Sequence, residues 1–73
     1  MTDYQHLVGV RYTQVVVGRD RTTITCEVRA IVDDDQAVVR SWIAAKRRYA
    51  YAVMPAVILE EKLQNGTYQR KKR

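Results

Sequence analysis

Residues 22–32, TTITCEVRAIV, alternate apolar and polar side chains over the length of a strand. One face holds Ile24, Cys26, Val28, Ala30 and Val32, and the other holds Thr23, Thr25, Glu27 and Arg29. This pattern is typical of an antiparallel sheet with one buried and one solvated face. Because the chain has only 73 residues, we expect one domain with a thin core built around that sheet.

A second strand is predicted by the segment HLVGVRYTQVVV, residues 6–17. Its apolar residues fall on both faces: Val8, Val10, Tyr12 and Val16 on one, Leu7, Val15 and Val17 on the other. The segment GRDR, residues 18–21, predicts a turn, which gives an antiparallel hairpin from about residue 6 to residue 32. Apolar residues on both faces predict either a central strand or an outer face that serves as a contact surface, and Gly9 allows a bulge or a close backbone approach.

A helix is predicted over VDDDQAVVRSWIAAKRRYA, residues 32–50. Asp33 and Gln36 have the spacing of a capping box. The apolar residues Val38, Val39, Trp42, Ala45 and Tyr49 recur at helical spacing and predict its buried stripe. At its far end, Lys46, Arg47 and Arg48 complement the negative pole of the helix dipole.

Beyond the helix, YAVMPAVIL, residues 51–59, predicts a third strand, and Pro55 favours an edge position or a bulge. Asn65-Gly66 predicts a hairpin turn that pairs Leu63 with Tyr68. The expected fold class is α+β: a small ββαβ(β) domain, an antiparallel sheet with one helix packed on one face. We expect the strand order 2-1-3-4, with the second strand at a free edge. The domain spans residues 1–69, and residues 70–73 form a basic tail.

Charge and composition limit the functional classes. The net charge is +5, but the tail residues Arg70, Lys71, Lys72 and Arg73 supply most of it, so the predicted folded body is nearly neutral. One histidine and one cysteine cannot form a metal-ligand cluster or a disulfide framework, and we expect no cofactor. No apolar run is long enough to span a bilayer. A lone cysteine fits a reducing cytoplasm, and the chain is expected to be one complete short gene product.

No catalytic constellation is visible in the sequence. Some small ribonucleases act with only Arg, His and Tyr side chains, which brings His6, Arg11 and Tyr12 into consideration. Strand alternation places His6 and Tyr12 on one face and Arg11 on the other, which splits the set. We therefore expect a protein that is not an enzyme.

Three cations followed by two tyrosines, in KRRYAY at residues 46–51, raise the alternative of nucleic-acid binding. Lys46, Arg47 and Arg48, together with Arg70, Lys71, Lys72 and Arg73, are the candidate nucleic-acid contacts. The same trio also fits a helix end or a docking site for an acidic protein surface. The sequence contains no RNA-recognition motif and no GXXG loop.

The chain resembles the small transcription regulators of lytic phages, of the Xanthomonas phage type. The resemblance lies in the length, the segments MTDYQHLVGVRYTQVVVG and DDDQAVVRSWIAAKRRY, and the basic end YQRKKR. The resemblance covers the whole chain in length and layout without a diagnostic motif. It implies a non-enzymatic protein that binds the N-terminal region of the β′ subunit of host bacterial RNA polymerase. It further implies inhibition of sigma-dependent initiation and, in addition, antitermination. The same length and layout also fit the alternative of a phage antagonist of another host defence protein.

The resemblance carries over no contact residues. The predicted partner-binding residues come instead from the exposed faces of the two predicted strands. They are Leu7, Gly9, Arg11, Val15, Val17, Arg29 and Ile31.

Overall fold

The computed structural model describes residues 4–19 and 21–71. They form a five-stranded antiparallel sheet and one α-helix, so the predicted α+β fold class with a single helix is confirmed. The strands are β1 (Arg11–Val17), β2 (Arg21–Val32), β3 (Gln36–Ile43), β4 (Arg48–Pro55) and β5 (Gln69–Arg70), and the helix is α1 (Ala56–Gln64).

The β1–β2 hairpin is confirmed, with Tyr12 opposite Cys26 and Val17 opposite Arg21. Its first strand starts later than predicted, because residues 5–7 form a 3₁₀ turn. Gly9 follows this turn at a φ of 89°, a left-handed conformation that glycine adopts without strain. The Gly9 amide donates a hydrogen bond to the carbonyl of Val28 at 2.9 Å, so backbone contact with β2 begins before the first residue of β1.

The predicted helix over residues 32–50 is wrong: this segment forms the β3–β4 hairpin. Apolar residues at 37–39, 42 and 43 satisfy the period of a strand as well as that of a helix. Pairing with β2 decides between them, since β-branched and aromatic side chains pack well on a pleated surface. Asp33 and Asp34 lie at φ of 53° and 65° in the connecting turn, a conformation that aspartate tolerates, and do not cap a helix.

The predicted third strand, residues 51–59, is right only as far as Pro55, where β4 ends and α1 begins. Proline suits a helix start, because the first helical amides have no acceptor within the helix. Asn65-Gly66 does not form the predicted hairpin. Asn65 ends α1 and Gly66 has a φ of 85°, the conformation common just after a helix.

The observed strand order is β4-β3-β2-β1-β5, which corrects the predicted order 2-1-3-4. The second strand therefore lies in the centre and exposes no free edge. Within the described residues, β4 is an edge strand paired only with β3, and the two-residue β5 pairs with β1. Two residues of the predicted tail contact β1: Arg70 belongs to β5, and the Lys71 amide donates to the Arg11 carbonyl at 2.8 Å.

The core lies between α1, the N-terminal 3₁₀ turn and one face of the sheet. Its buried members are Leu7, Tyr12, Cys26, Val28, Ala37, Val39, Ala56 and Leu59. Cys26 is buried as predicted. Tyr12 stacks on Tyr68 with 4.8 Å between the ring centroids, and burial raises the pKa of both phenols. The sheet face that packs against α1 is called the helix-covered face below, and the opposite one the open face.

Candidate interaction surface

The register of the sheet assigns the open face residue by residue, because directly paired residues point to the same side. One row of paired residues crosses four strands: Arg11, Glu27, Arg40 and Tyr51. The neighbouring row includes Trp42 paired with Tyr49, and Thr13 paired with Thr25. These two rows place arginine and aromatic side chains in the middle of the open face.

Glu27 holds the arginines of the open face in place. Its carboxylate accepts hydrogen bonds from Arg29 at 2.9 Å, from Arg40 at 3.0 Å and from Arg11 at 3.2 Å. The hydrogen bond from Arg29 is the main cause that lowers the pKa of Glu27, against a smaller opposing effect of burial. Three guanidinium groups share one carboxylate, so this cluster carries a net positive charge.

Arg40 also stacks on an aromatic ring. The central carbon of its guanidinium lies 4.1 Å from the ring centroid of Tyr49, a cation–π contact. Trp42 meets Tyr49 edge to face at 4.9 Å between centroids. The Arg40 Nε is buried without a hydrogen-bond partner in the described structure, so the stacking and the bond from its Nη2 to Glu27 hold the side chain in place. Arg40, Trp42 and Tyr49 line a cleft of about 220 Å³ together with Arg11, Thr25, Cys26, Glu27 and Lys71.

Most of the exposed large apolar side chains of the described chain belong to the open face. Val17, at the end of the β1–β2 hairpin, is 78% exposed and Val15 is 45% exposed. Tyr51 is 65% exposed and Val53 is 61% exposed on the edge strand β4. No other element of the described chain packs on these side chains as α1 packs on the opposite face. Uncovered apolar surfaces of this kind are typical of interaction sites in general.

Charge is separated along the strands. The antiparallel order brings the β1–β2 hairpin end and the β3–β4 turn to the same end of the sheet. This end carries the cations Arg19, Arg21, Lys46, Arg47 and Arg48. The β2–β3 turn at the other end carries Asp33, Asp34 and Asp35, and Glu60 and Glu61 lie on α1. Most of the described basic side chains therefore lie on the open face or at one end of the sheet.

The predicted partner-binding residues divide between the two faces. Arg11, Val15 and Val17 lie on the open face, and Arg29 reaches its centre through Glu27. Placing Leu7 on an exposed face is wrong, because the 3₁₀ turn points it into the core with 0% exposure.

Ile31 is also misplaced, because a register shift between Val28 and Ala30 moves it to the helix-covered face, where it packs against the core. Gly9 is exposed in the turn before β1.

The candidate nucleic-acid contacts lie in two places. Lys46 ends a 3₁₀ turn, Arg47 lies at a φ of 50°, and Arg48 begins β4, so the trio forms the β3–β4 turn and does not end a helix. Arg70 pairs with Tyr12 and points to the helix-covered side, whereas Lys71 lies with Arg11 on the open side. Lys72 and Arg73 lie outside the described residues.

The sequence analysis missed the central residues of this surface: Glu27 as the organiser of the arginines, and Arg40, Trp42, Tyr49 and Tyr51 as their neighbours. Once residues 32–50 were assigned to a helix, Trp42 and Tyr49 fell on its buried stripe. The signal that identifies them is the alternation at positions 38, 40 and 42 and at positions 49, 51 and 53. That alternation predicts two strands whose outer faces hold these residues.

The set considered for ribonuclease chemistry is dispersed. Tyr12 is buried and Arg11 lies on the opposite face of β1, while the His6 Nε2 lies 2.8 Å from a carboxylate oxygen of Glu60 on α1. Within residues 4–19 and 21–71, no three His, Cys, Asp or Glu side chains come together as a metal site requires. Across those residues, no helix is long and apolar enough to cross a membrane.

Comparison of the chain with protein-family models, with curated proteins and with solved structures finds no significant match. The open face itself is therefore the structural basis for a proposed function.

Proposed function

We propose that this chain is a non-enzymatic phage regulator that acts by binding host bacterial RNA polymerase in the bacterial cytoplasm. Its target is the N-terminal region of the β′ subunit, and its effects are inhibition of sigma-dependent initiation and antitermination. The identity of the target comes from the resemblance of the sequence to small phage transcription regulators. The observation that supports a binding function is the open face, which exposes valine, tyrosine and tryptophan beside arginine.

The composition of the open face suits a protein partner. Tyrosine, tryptophan and arginine are enriched among residues that dominate protein–protein binding energies. Trp42, Tyr49 and Arg40 are held together by stacking, so little side-chain freedom is lost on binding. Rigid, partly exposed aromatic groups of this kind fill pockets on a partner.

The hairpin end and the edge strand supply two further features. Val15 and Val17 form an apolar patch at the end of the β1–β2 hairpin. The outer edge of β4 leaves backbone groups without a neighbouring strand in the described chain, and an extended peptide binds such an edge as an added strand. The free edge belongs to β4 and not to β2, for which it was predicted.

Binding of the purified chain to the host polymerase β′ N-terminal fragment, by biolayer interferometry in nuclease-treated buffer, tests the proposal. Val17→Glu is expected to weaken binding at least tenfold, because it places a charge inside a desolvated apolar contact. Val57→Glu on α1 is the matched control, since Val57 is 54% exposed on the other side of the molecule. This variant is expected to bind the fragment as the wild-type chain does.

Circular-dichroism melts of both variants distinguish loss of binding from loss of folding. Val15→Glu is a second variant on the same patch and is expected to reduce binding as Val17→Glu does. Absence of wild-type binding to the fragment refutes the target. Equal loss for Val17→Glu and Val57→Glu refutes the open face as the contact.

A further inference from the structure

We infer that the open face binds single-stranded RNA along the β3–β4 hairpin, with bases on Tyr51 and Trp42 and phosphates on the cations of the β3–β4 turn. This surface shares Arg40 and Trp42 with the proposed polymerase contact, but RNA binding by the chain alone does not depend on that contact. Three features support RNA binding: the exposed aromatic rings, the distribution of charge and the polar groups that line the central cleft.

Stacking surfaces for bases are present on the open face. Tyr51 is 65% exposed, Tyr49 is 49% exposed and Trp42 is 41% exposed, and Tyr49 is held by its contacts with Arg40 and Trp42. Base–aromatic stacking and stacking on arginine planes are the main means by which proteins bind single strands. From Tyr51 to Arg48 along β4 the distance is about 10 Å, at about 3.3 Å per residue. That length accommodates about three stacked nucleotides at about 3.4 Å each, and Lys46 and Arg47 lie in the turn just beyond it.

The charge of the surface matches a polyanion. The β3–β4 turn next to Trp42 and Tyr49 carries Lys46, Arg47 and Arg48. Two further cations, Arg40 and Arg11, lie on the open face of β3 and β1. The described carboxylates other than Glu27 lie at the opposite end or on α1. The carboxylates of an acidic peptide match this charge alone, whereas a single strand matches the charge with its phosphates and the exposed rings with its bases. The rings therefore favour a nucleic acid.

The cleft provides the means to prefer RNA over DNA. Thr25 and Glu27 line it beside Arg40 and Trp42. A threonine hydroxyl exchanges hydrogen bonds with the ribose 2′-hydroxyl, the group that DNA lacks, whereas the Glu27 carboxylate is already shared by three arginines.

Fluorescence anisotropy of the full chain with 5′-labelled U10 RNA, at 50 and 200 mM salt, tests this inference. We expect salt-dependent binding, with Tyr51→Ala weakening it about tenfold, because the substitution removes a ring on which one base stacks. Tyr51→Phe keeps the ring and is expected to bind within twofold of wild type. The double variant Lys46→Gln, Arg47→Gln is expected to reduce the salt slope by about 1.4, at about 0.7 per phosphate.

Lys62→Gln on α1 removes the same type of charge from the other side of the molecule and is expected to leave binding unchanged. A chain ending at Lys71 tests the two terminal cations. Loss of binding in that chain, with Tyr51→Ala like wild type, assigns the contact to the tail and overturns the inference.

Three other outcomes overturn it. The first is absence of U10 binding at 50 mM salt. The second is equal affinity for U10 RNA and dT10 DNA, which contradicts a preference for RNA. The third is displacement of U10 by a ten-residue polyglutamate at equal concentration, which shows that charge alone determines binding.

Discussion

The two faces of this sheet use the same strands for opposite purposes. Toward α1, the strands present small and aliphatic side chains such as Ala37, Val39 and Val28, which α1 covers. Toward the open side, the alternate residues of the same strands are arginine, tyrosine and tryptophan around one carboxylate. The helix-covered face supplies the stability of the domain, whereas the open face is organised by polar contacts that leave apolar and cationic groups accessible.

The largest difference between the faces is expected in the response to truncation. Leu59 on α1 has 0% exposure, so Leu59→Ala leaves a cavity and is expected to lower the free energy of unfolding by about 3 kcal/mol. That is a large part of the roughly 4 to 11 kcal/mol expected for a domain of this size. Urea denaturation followed by circular dichroism measures the change.

Val53→Ala on the open face is the matched control for that loss. Val53 is 61% exposed, and its truncation is expected to change the free energy of unfolding by about 0.5 kcal/mol or less. Similar losses for Val53→Ala and Leu59→Ala contradict the division into a covered and an open face.

Glu27 tests the polar organisation of the open face, with a smaller expected effect. Glu27→Ala leaves Arg11, Arg29 and Arg40 without their shared acceptor and is expected to lower the free energy of unfolding by about 2 kcal/mol. Because the pKa of Glu27 is lowered by folding, its ionised form favours the folded state. The stabilisation is present above the unfolded pKa and is lost as the pH falls through the folded value.

Thermal melts between pH 7 and pH 2.5 measure this dependence. The wild-type chain is expected to lose more stability than Glu27→Gln over the acidic range, because the amide cannot be protonated there. Equal pH profiles of the two proteins contradict a stabilising role for the ionised carboxylate.

How far the sequence predicts the structure differs along the chain. The β1–β2 hairpin is predictable because TTITCEVRAIV has one period and GRDR is a strong turn. Residues 33–55 are not, because their apolar positions satisfy two periods, and three aspartates suit both a helix start and a turn of left-handed residues. Long-range pairing with β2 decides between the two periods.

The same ambiguity explains the partial prediction of the surface. Val15, Val17 and Arg11 were placed correctly on an exposed face, since they belong to the predictable hairpin. Arg40 and Tyr51 depend on β3 and β4, so their side could not be predicted while the segment was assigned to a helix. Leu7 was misplaced because a 3₁₀ turn, which follows neither period, orients it toward the core.

Methyl NMR of the valine- and isoleucine-labelled chain, titrated with the host polymerase β′ N-terminal fragment, tests the central claim most directly. Exposed methyl groups occur on both sides: Val15, Val17 and Val53 on the open face, and Val57 and Ile58 on α1. The account predicts that the open-face methyl signals shift and those of α1 stay in place. Shifts confined to Val57 and Ile58, or no shift at all, contradict it.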